Sequence, residues 1–397
     1  MLKALADRVF RTRSVRIRMP GAEFTAGPGE PEMTVVLADA RTAAAIALNP
    51  EIAVGDAYMD GHLTVEGGDI HDFLELAGSQ LAARPMRRGP LWRVKRRWDQ
   101  ANDRMHARSN VHHHYDLTVD FYRLFLDEDL QYSCAVFEGP DATLEQAQIA
   151  KKRRLIDKLL LSPGQTALDI GCGWGGLGLS LARAGARVTG VTLSTEQHAT
   201  ARARAAEAGL AVDFRLQDYR DLEGPFDRII SVGMFEHVGA PNYDEYFATV
   251  ARLLTDDGVA VIHSIGRKTP PSRTQPWIAK HIFPGGYIPA LSEALPAIER
   301  SGLWVTDMEI LRLHYADTLR AWRQRFLARR TEALAMYDER FCRMWEFYLS
   351  MSETAFRYQD IAIFQVQLAR RQDAVPLTRD YIAERRAALR KRELLRS

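Results

Sequence analysis

The run Ala167-Leu-Asp-Ile-Gly-Cys-Gly-Trp-Gly-Gly176 holds the residue types that first point to chemistry, and that chemistry is ligand binding. Glycines let a backbone turn tightly and approach a ligand where a Cβ would clash. The helix that opens behind them offers unpaired N–H donors. Gly171, Gly173 and Gly176 have the Gly-x-Gly-x-x-Gly spacing that dinucleotide sites also use, so the turn alone is weak evidence and its neighbours must decide. The next strand ends Val191-Thr-Leu-Ser194, with no acidic residue to bond a ribose. A nucleoside-like ligand without phosphates fits better, and S-adenosylmethionine is such a ligand. Asp218 closes a third strand in Leu216-Gln-Asp-Tyr219, at a sheet edge where its carboxylate can accept from an adenine amine. The bland alternative is a tight turn in which Asp169, Gly171 and Gly173 serve only the backbone.

The elements that must position these residues follow from periodicity. Helix 144–160, strand 166–171, helix 177–184, strand 187–193, helix 196–208, strands 212–216 and 226–232, helix 243–254 and strand 258–264 alternate. That rhythm predicts an α/β, doubly wound, mostly parallel sheet. An irregular insert 267–290, helix 292–301, strand 304–311 and a long helical region 318–371 follow. Residues 1–80 alternate short apolar runs, such as Met33-Thr-Val-Val-Leu-Ala38, with Gly/Pro breaks before a helical stretch 69–81. They read as a small α+β module. The expected organisation is an accessory domain 1–83, a basic linker 84–108 and a catalytic domain 109–397.

Composition narrows the class. Lys and Arg number 53 against 51 Asp and Glu, and a net charge of +2 gives no global case for nucleic acid. Charge is local instead: Leu91-Trp-Arg-Val-Lys-Arg-Arg-Trp98 sets two indoles among cations, a pattern suited to anionic headgroups and equally to a solvated helix. The tail 385–392 shares that ambiguity. Cys134, Cys172 and Cys342 lack zinc-site spacing, and adjacent His112, His113 and His114 point in different directions, so no metal site is expected. No apolar run approaches the roughly 18–20 residues that span a bilayer. The N-terminus also lacks a signal core, so the expected location is cytoplasmic, peripheral at the inner face of the membrane.

Four further motifs, Tyr132-Ser-Cys-Ala-Val-Phe137, Leu144-Glu-Gln-Ala-Gln-Ile-Ala-Lys151, Gly190-Val-Thr-Leu-Ser194 and Gly233-Met-Phe-Glu-His-Val-Gly239, occur in this order. Through them the chain resembles the cyclopropane-fatty-acyl-phospholipid synthases, a family shared with the mycolic acid cyclopropane synthases, from about residue 40 to 375. The resemblance implies a Rossmann-like class I S-adenosylmethionine-dependent methyltransferase fold with a seven-stranded sheet, helical insertions around a lipid site and a small N-terminal α+β domain. It implies methyl transfer from S-adenosylmethionine to the cis double bond of an unsaturated phospholipid acyl chain, forming a cyclopropane, with bicarbonate as general base. Carried over, the bicarbonate ligands are Cys134, Glu236, His263, Tyr315 and the backbone of Ile265. The cofactor contacts are Tyr132, Ser133, Gly171, Gly173, Thr192, Leu193, Gln197, Asp218 and Tyr219. The segment Leu48-Asn-Pro-Glu-Ile-Ala-Val-Gly-Asp-Ala-Tyr-Met-Asp-Gly61 resembles the accessory domain of the longer bacterial synthases, a candidate surface for lipid docking or a homodimer. Thr118, Val119 and Val136 depart from the family pattern and bear on substrate fit near the entrance.

An alkene is a poor nucleophile, so transfer from a sulfonium leaves a cationic centre that water would quench, and the site must be closed and apolar. Phe235, Phe283, Trp322, Phe326, Phe341, Trp345 and Tyr348 are candidates for that wall, the last three of the set sharing a helix face, or else ordinary core. A bound anion would steady the cation, with His263 and Tyr315 donating to it and Glu236 accepting its proton. Rival readings are a same-fold enzyme making methyl-branched or methylated unsaturated chains, a small-molecule N-methyltransferase, and a lipid-surface module with a vestigial cofactor fold.

Overall fold

The computed structural model describes residues 1–81 and 117–394. The basic stretch 84–108 and His112 to His114 lie outside the described residues. In the first part, α1 (Leu2–Val9) precedes β1 (Val15–Met19), β2 (Ala22–Ala26), β3 (Thr34–Leu37), α2 (Ala40–Leu48), α3 (Pro50–Met59), β4 (Leu63–Glu66) and α4 (Ile70–Leu81). The sheet runs β2-β1-β3-β4. Val15 and Ile17 of β1 and Val35 and Leu37 of β3 alternate inward, the two-residue period of a sheet covered on one face. Asp39 caps α2 by accepting from Thr42 N at 2.7 Å, and Pro50 starts α3 where its missing N–H costs nothing.

The second part comprises α5 (Val119–Tyr122), α6 (Leu144–Lys158), β5 (Thr166–Ile170), α7 (Gly176–Arg183), β6 (Arg187–Thr192), α8 (Thr195–Glu207), β7 (Val212–Leu216), β8 (Phe226–Val232) and α9 (Tyr243–Leu253). After them come β9 (Leu254–Arg267), α10 (Pro276–His281), α11 (Leu291–Ser301), β10 (Trp304–Leu311), α12 (His314–Ala328), α13 (Arg330–Met336), α14 (Glu339–Tyr358), β11 (Ile361–Ala369) and α15 (Asp380–Leu394). The seven-stranded sheet has the order β10-β11-β9-β8-β5-β6-β7. The five strands from β9 to β7 are parallel, and β11 is antiparallel to both its neighbours.

Here the expected helical region 318–371 is corrected. The helices stop at Tyr358, and Ile361-Ala-Ile-Phe-Gln-Val-Gln-Leu-Ala369 is a strand inserted between β9 and β10. A strand buried on both faces shows no clean alternation, so its pattern does not separate it from a buried stretch of helix.

The two parts share one apolar core, which runs from Ala6, Val15 and Leu76 to Phe121, Trp322 and Trp345. Polar contacts reinforce the seam: Lys280 Nζ and His281 Nε2 both reach Asp56 at 2.7 Å, Arg340 meets Asp60 at 2.7 Å, and Arg273 pairs with Glu51. At Gly55 in α3 a Cβ would fall 2.4 Å from Trp277 Nε1, so α10 lies against α3 at a distance only glycine permits.

Candidate active site

At the carboxyl end of β5 the chain turns through Gly171 at φ +79° and Gly173 at φ +54°, a left-handed region that disfavours side chains. The N–H groups of Gly171 and Cys172 both donate to Val191 O at 2.9 Å, tying the turn to β6. A Cβ on Gly171 would fall 2.9 Å from the Met234 side chain, whereas nothing lies within 4 Å of the Cβ position of Gly173, which opens on a cavity. Tyr132, Ser133, Gly171, Gly173, Thr192, Leu193, Gln197, Asp218 and Tyr219 all line that cavity. Every residue expected from the sequence to contact the cofactor is therefore brought together.

Local hydrogen bonds fix its walls. Thr192 Oγ1 donates to Gln197 Oε1 at 2.9 Å, and Ser194 caps α8 by accepting from Gln197 N at 3.3 Å. Asp218 is buried and accepts from Arg220 Nε at 2.9 Å and Nη2 at 2.6 Å, a bidentate partner the sequence reading did not include. Asp169, taken from sequence only as a turn residue, lines the cavity with a buried Oδ2 that has no hydrogen-bond partner, and burial pushes its carboxyl up to about 7. An orphaned acceptor here fits the ammonium or a hydroxyl of a nucleoside amino acid.

The Leu144 to Lys151 motif now has a physical role. Lys151, fully buried, donates to Gln131 Oε1 at 2.6 Å and Ser133 Oγ at 2.8 Å. One turn earlier, Gln148 Nε2 donates to the carbonyls of Gln131 at 3.2 Å and Ser133 at 3.0 Å. Spaced i, i+3 on α6, these side chains pin the 131–134 loop from beneath. Burial pushes the Lys151 ammonium down to about 8, while Asp127 and Asp129 oppose that shift.

A second cavity of about 1950 Å³ carries Cys134, Glu236, His263, Ile265 and Tyr315 on its walls. Tyr132, Ser133, Gly233 and His237 line both cavities, so the two meet there. Glu236 sits on a single 3₁₀ turn after β8. Its Oε1 accepts from Ile265 N at 2.6 Å, and its buried Oε2 has no partner. Burial raises that carboxyl to about 7.

His263 lies on β9, and its Nδ1 accepts from Gln365 Nε2 of β11 at 3.0 Å. That bond places the proton of the neutral ring on Nε2, which is buried without a partner. Burial pushes His263 down to about 3 and His237 to about 4, so both rings are neutral near pH 7. Cys134 is fully buried, its thiol pushed up by desolvation, and Sγ donates to Ala135 O at 3.2 Å. Tyr315, in the first turn of α12, stands edge-on to Trp322 with ring centroids 5.9 Å apart. Two orphaned buried polar atoms, an acceptor and a donor, thus belong to side chains on one cavity wall, a donor set suited to a small hydrogen-bonding anion.

The aromatic wall is narrower than expected. Phe283 and Tyr348 line the large cavity, and Tyr348 Oη meets Tyr132 Oη at 2.9 Å. Trp322 stacks behind Tyr132 at 5.2 Å. Phe326, Phe341 and Trp345 surround Phe121 at 6.3, 5.2 and 4.9 Å, and Phe235 stacks on Tyr243 at 4.4 Å. None of those four lines either cavity: Phe341 and Trp345 lie on the face of α14 turned to Phe121 of α5, while Phe326 of α12 and Phe235 pack in the core. The departures also fall elsewhere: Thr118 caps α5, Val119 begins it, Val136 is buried beneath α6, and none lines the large cavity. No helix among the described residues is long and apolar enough to cross a membrane.

Residues 102–366 match the family model described as mycolic acid cyclopropane synthetase. The cyclopropane-fatty-acyl-phospholipid synthase of Escherichia coli strain K12 is 39% identical, covering 80% of this chain and 83% of that protein. Tuberculostearic acid methyltransferase UfaA1 of Mycobacterium tuberculosis is 36% identical, covering 92% and 91%. Among solved structures, mycolic acid cyclopropane synthase CmaA1 complexed with SAH and CTAB superposes with a TM-score of 0.63 at 36% identity, covering 66% of this chain and 97% of that one.

Proposed function

Because the chain belongs to the mycolic acid cyclopropane synthetase family, we propose that it converts the cis double bond of an unsaturated phospholipid acyl chain into a cyclopropane, using S-adenosylmethionine and bicarbonate. Its fold is the Rossmann-like class I S-adenosylmethionine-dependent methyltransferase fold. The observation that carries the reading is the meeting of the two cavities at Tyr132, Ser133, Gly233 and His237, with Glu236 and His263 on the apolar side.

When bound, S-adenosylmethionine supplies an electrophilic methyl and bicarbonate a base for the departing proton. The protein's own groups do the rest. Glycines 171 and 173 admit the donor against bare backbone, Thr192 and Gln197 border it, and Asp169 offers an acceptor. The bicarbonate would be held by Cys134, Glu236, His263, Tyr315 and the Ile265 backbone, with His263 Nε2–H donating and Glu236 Oε2 accepting. Neutral His263 leaves the anion's charge facing the cationic centre rather than cancelled by an imidazolium. The apolar walls exclude water from that centre.

A second reading is favoured by the 36% identity to a tuberculostearic acid methyltransferase across 92% of this chain: loss of a different proton, directly or after a hydride shift, would leave a methyl-branched or methylated alkene. Purified protein incubated with isotope-labelled S-adenosylmethionine and oleoyl phospholipid vesicles decides between them. Cyclopropane methylene protons in the NMR spectrum of the product are expected; vinyl or branched-methyl signals instead would replace the first reading by the second. Residues 84–108, the proposed basic linker between an accessory domain 1–83 and a catalytic domain 109–397, would bring the enzyme to an anionic cytoplasmic membrane face. A homodimer through the accessory domain would present two such segments together, and sedimentation equilibrium tests it: a monomer mass at micromolar protein rejects it.

A further inference from the structure

The cavity that holds Glu236, His263 and Tyr315 does not end at the catalytic sheet. It continues into residues 1–81, where Leu5 and Val9 of α1, Val54 of α3, and Phe73 and Ala77 of α4 form its wall. Leu5 with Val9, and Phe73 with Ala77, are i, i+4 pairs, so each helix turns one face to the cavity. All five are half-buried, so apolar surface stays uncovered inside the molecule. The volume, about 1950 Å³, is well above the roughly 300–1,000 Å³ of sites for a single small ligand. Arg267 at the end of β9, and Lys268 and Arg273 after it, line the same cavity; Arg267 faces Asp360 at 3.6 Å and Arg273 pairs with Glu51, while Lys268 is exposed.

The family match begins at residue 102, and CmaA1 aligns over 97% of its own length with only 66% of this chain. The module 1–81 is therefore extra to the part that the shorter relative needs. A diacyl phospholipid poses a problem that a single chain does not. Only one chain meets the reactive groups, yet lifting the lipid towards the site exposes the other, and each methylene left in water costs free energy.

Resting on the phospholipid reading above, we propose that the inner face of residues 1–81 is the receptacle for the second, non-reacting acyl chain of a diacyl lipid. The continuity of its wall with the reaction cavity lets both chains be sheltered at once, and the exposed ammonium of Lys268 suits the phosphodiester that joins them.

The test uses the full-length protein and vesicles of a phosphatidylglycerol carrying an oleoyl chain and a saturated chain ending in a diazirine. After irradiation, peptide mapping is expected to place the label on α1, α3 or α4. Label confined to residues 117–394 overturns the proposal, as does label on α1, α3 or α4 only when the diazirine is moved to the end of the oleoyl chain. A second measurement compares kcat/KM for diacyl and single-chain oleoyl lipids in Val54→Trp and Ala77→Trp. The diacyl-to-single-chain ratio should fall by about tenfold; equal losses on both lipids would mark a structural defect and reject the receptacle. If the unmodified enzyme makes no product from oleoyl phosphatidylglycerol, the substrate reading itself fails and this inference with it. Product formed with the label in the wrong place removes this inference alone.

Discussion

At Glu236 and His263 burial sets the protonation states that the proposed reaction would use. The Glu236 carboxyl, raised to about 7, is neutral below that pH, and only above it is Oε2 free of its proton and able to take the anion's. His263, lowered to about 3, stays neutral throughout the working range. Turnover should therefore rise as pH climbs through about 7 and level off, with no second limb from His263. A pH–kcat profile checks the sign, and a rate that instead falls across that window contradicts the role given to Glu236. Glu236→Gln should lose the limb and lower kcat by roughly 10²–10⁴, the usual worth of acid–base groups. Gln365 holds His263 in one tautomer through Nδ1. Gln365→Leu should lower kcat by about tenfold while S-adenosylmethionine affinity by calorimetry stays at the wild-type value. A matching loss of cofactor affinity would show that Gln365 acts on the whole sheet instead. The family resemblance nominated Glu236 and His263, but not Gln365, which lies 102 residues from His263 and gains meaning only from the pairing of β11 with β9.

Among elements, the most legible were those whose amphipathic period matched their setting. Strands 212–216, 226–232 and 304–311 fall where periodicity predicts them, and α6 begins at Thr143, whose capping box with Gln146 is a local signal. β11 was illegible because both its faces are buried, and what makes it a strand is the pair of neighbours it joins. Gly171 was legible as a turn, though the reason it must be glycine, the Met234 side chain, was not. Gly171→Ala should cost roughly 1–2 kcal/mol through its left-handed backbone and weaken cofactor binding. Thermal melts with and without S-adenosylmethionine measure both, and an unchanged cofactor-induced shift would count against the turn as cradle. Gly55→Val drives a side chain into Trp277 and should raise the lipid KM without altering cofactor affinity, because α10 borders the large cavity and not the smaller one. Steady-state kinetics with each substrate varied in turn separates the two.

For the molecule as a whole, the proposed phospholipid substrate would come from a bilayer, and the cations of 84–108 are the proposed means of approach. Flotation should recover more protein with anionic than with zwitterionic vesicles, and the difference should shrink as salt shortens the Debye length from about 10 Å at 0.1 M. Equal recovery on both lipids would remove charge from the docking account. By itself the sequence determined the doubly wound sheet and the glycine turn, because periodicity and backbone freedom are local properties, and its family resemblance nominated the reactive groups proposed above. Tertiary structure alone decided that Gln365 orients His263, that Lys151 and Gln148 support the loop between the two cavities, that most of the aromatic stripe is core, and that residues 1–81 share a cavity with the reactive site. Each of these depends on contacts between segments far apart in the chain, and burial, which sets every shifted protonation state here, is a property of the assembled fold and not of a residue type.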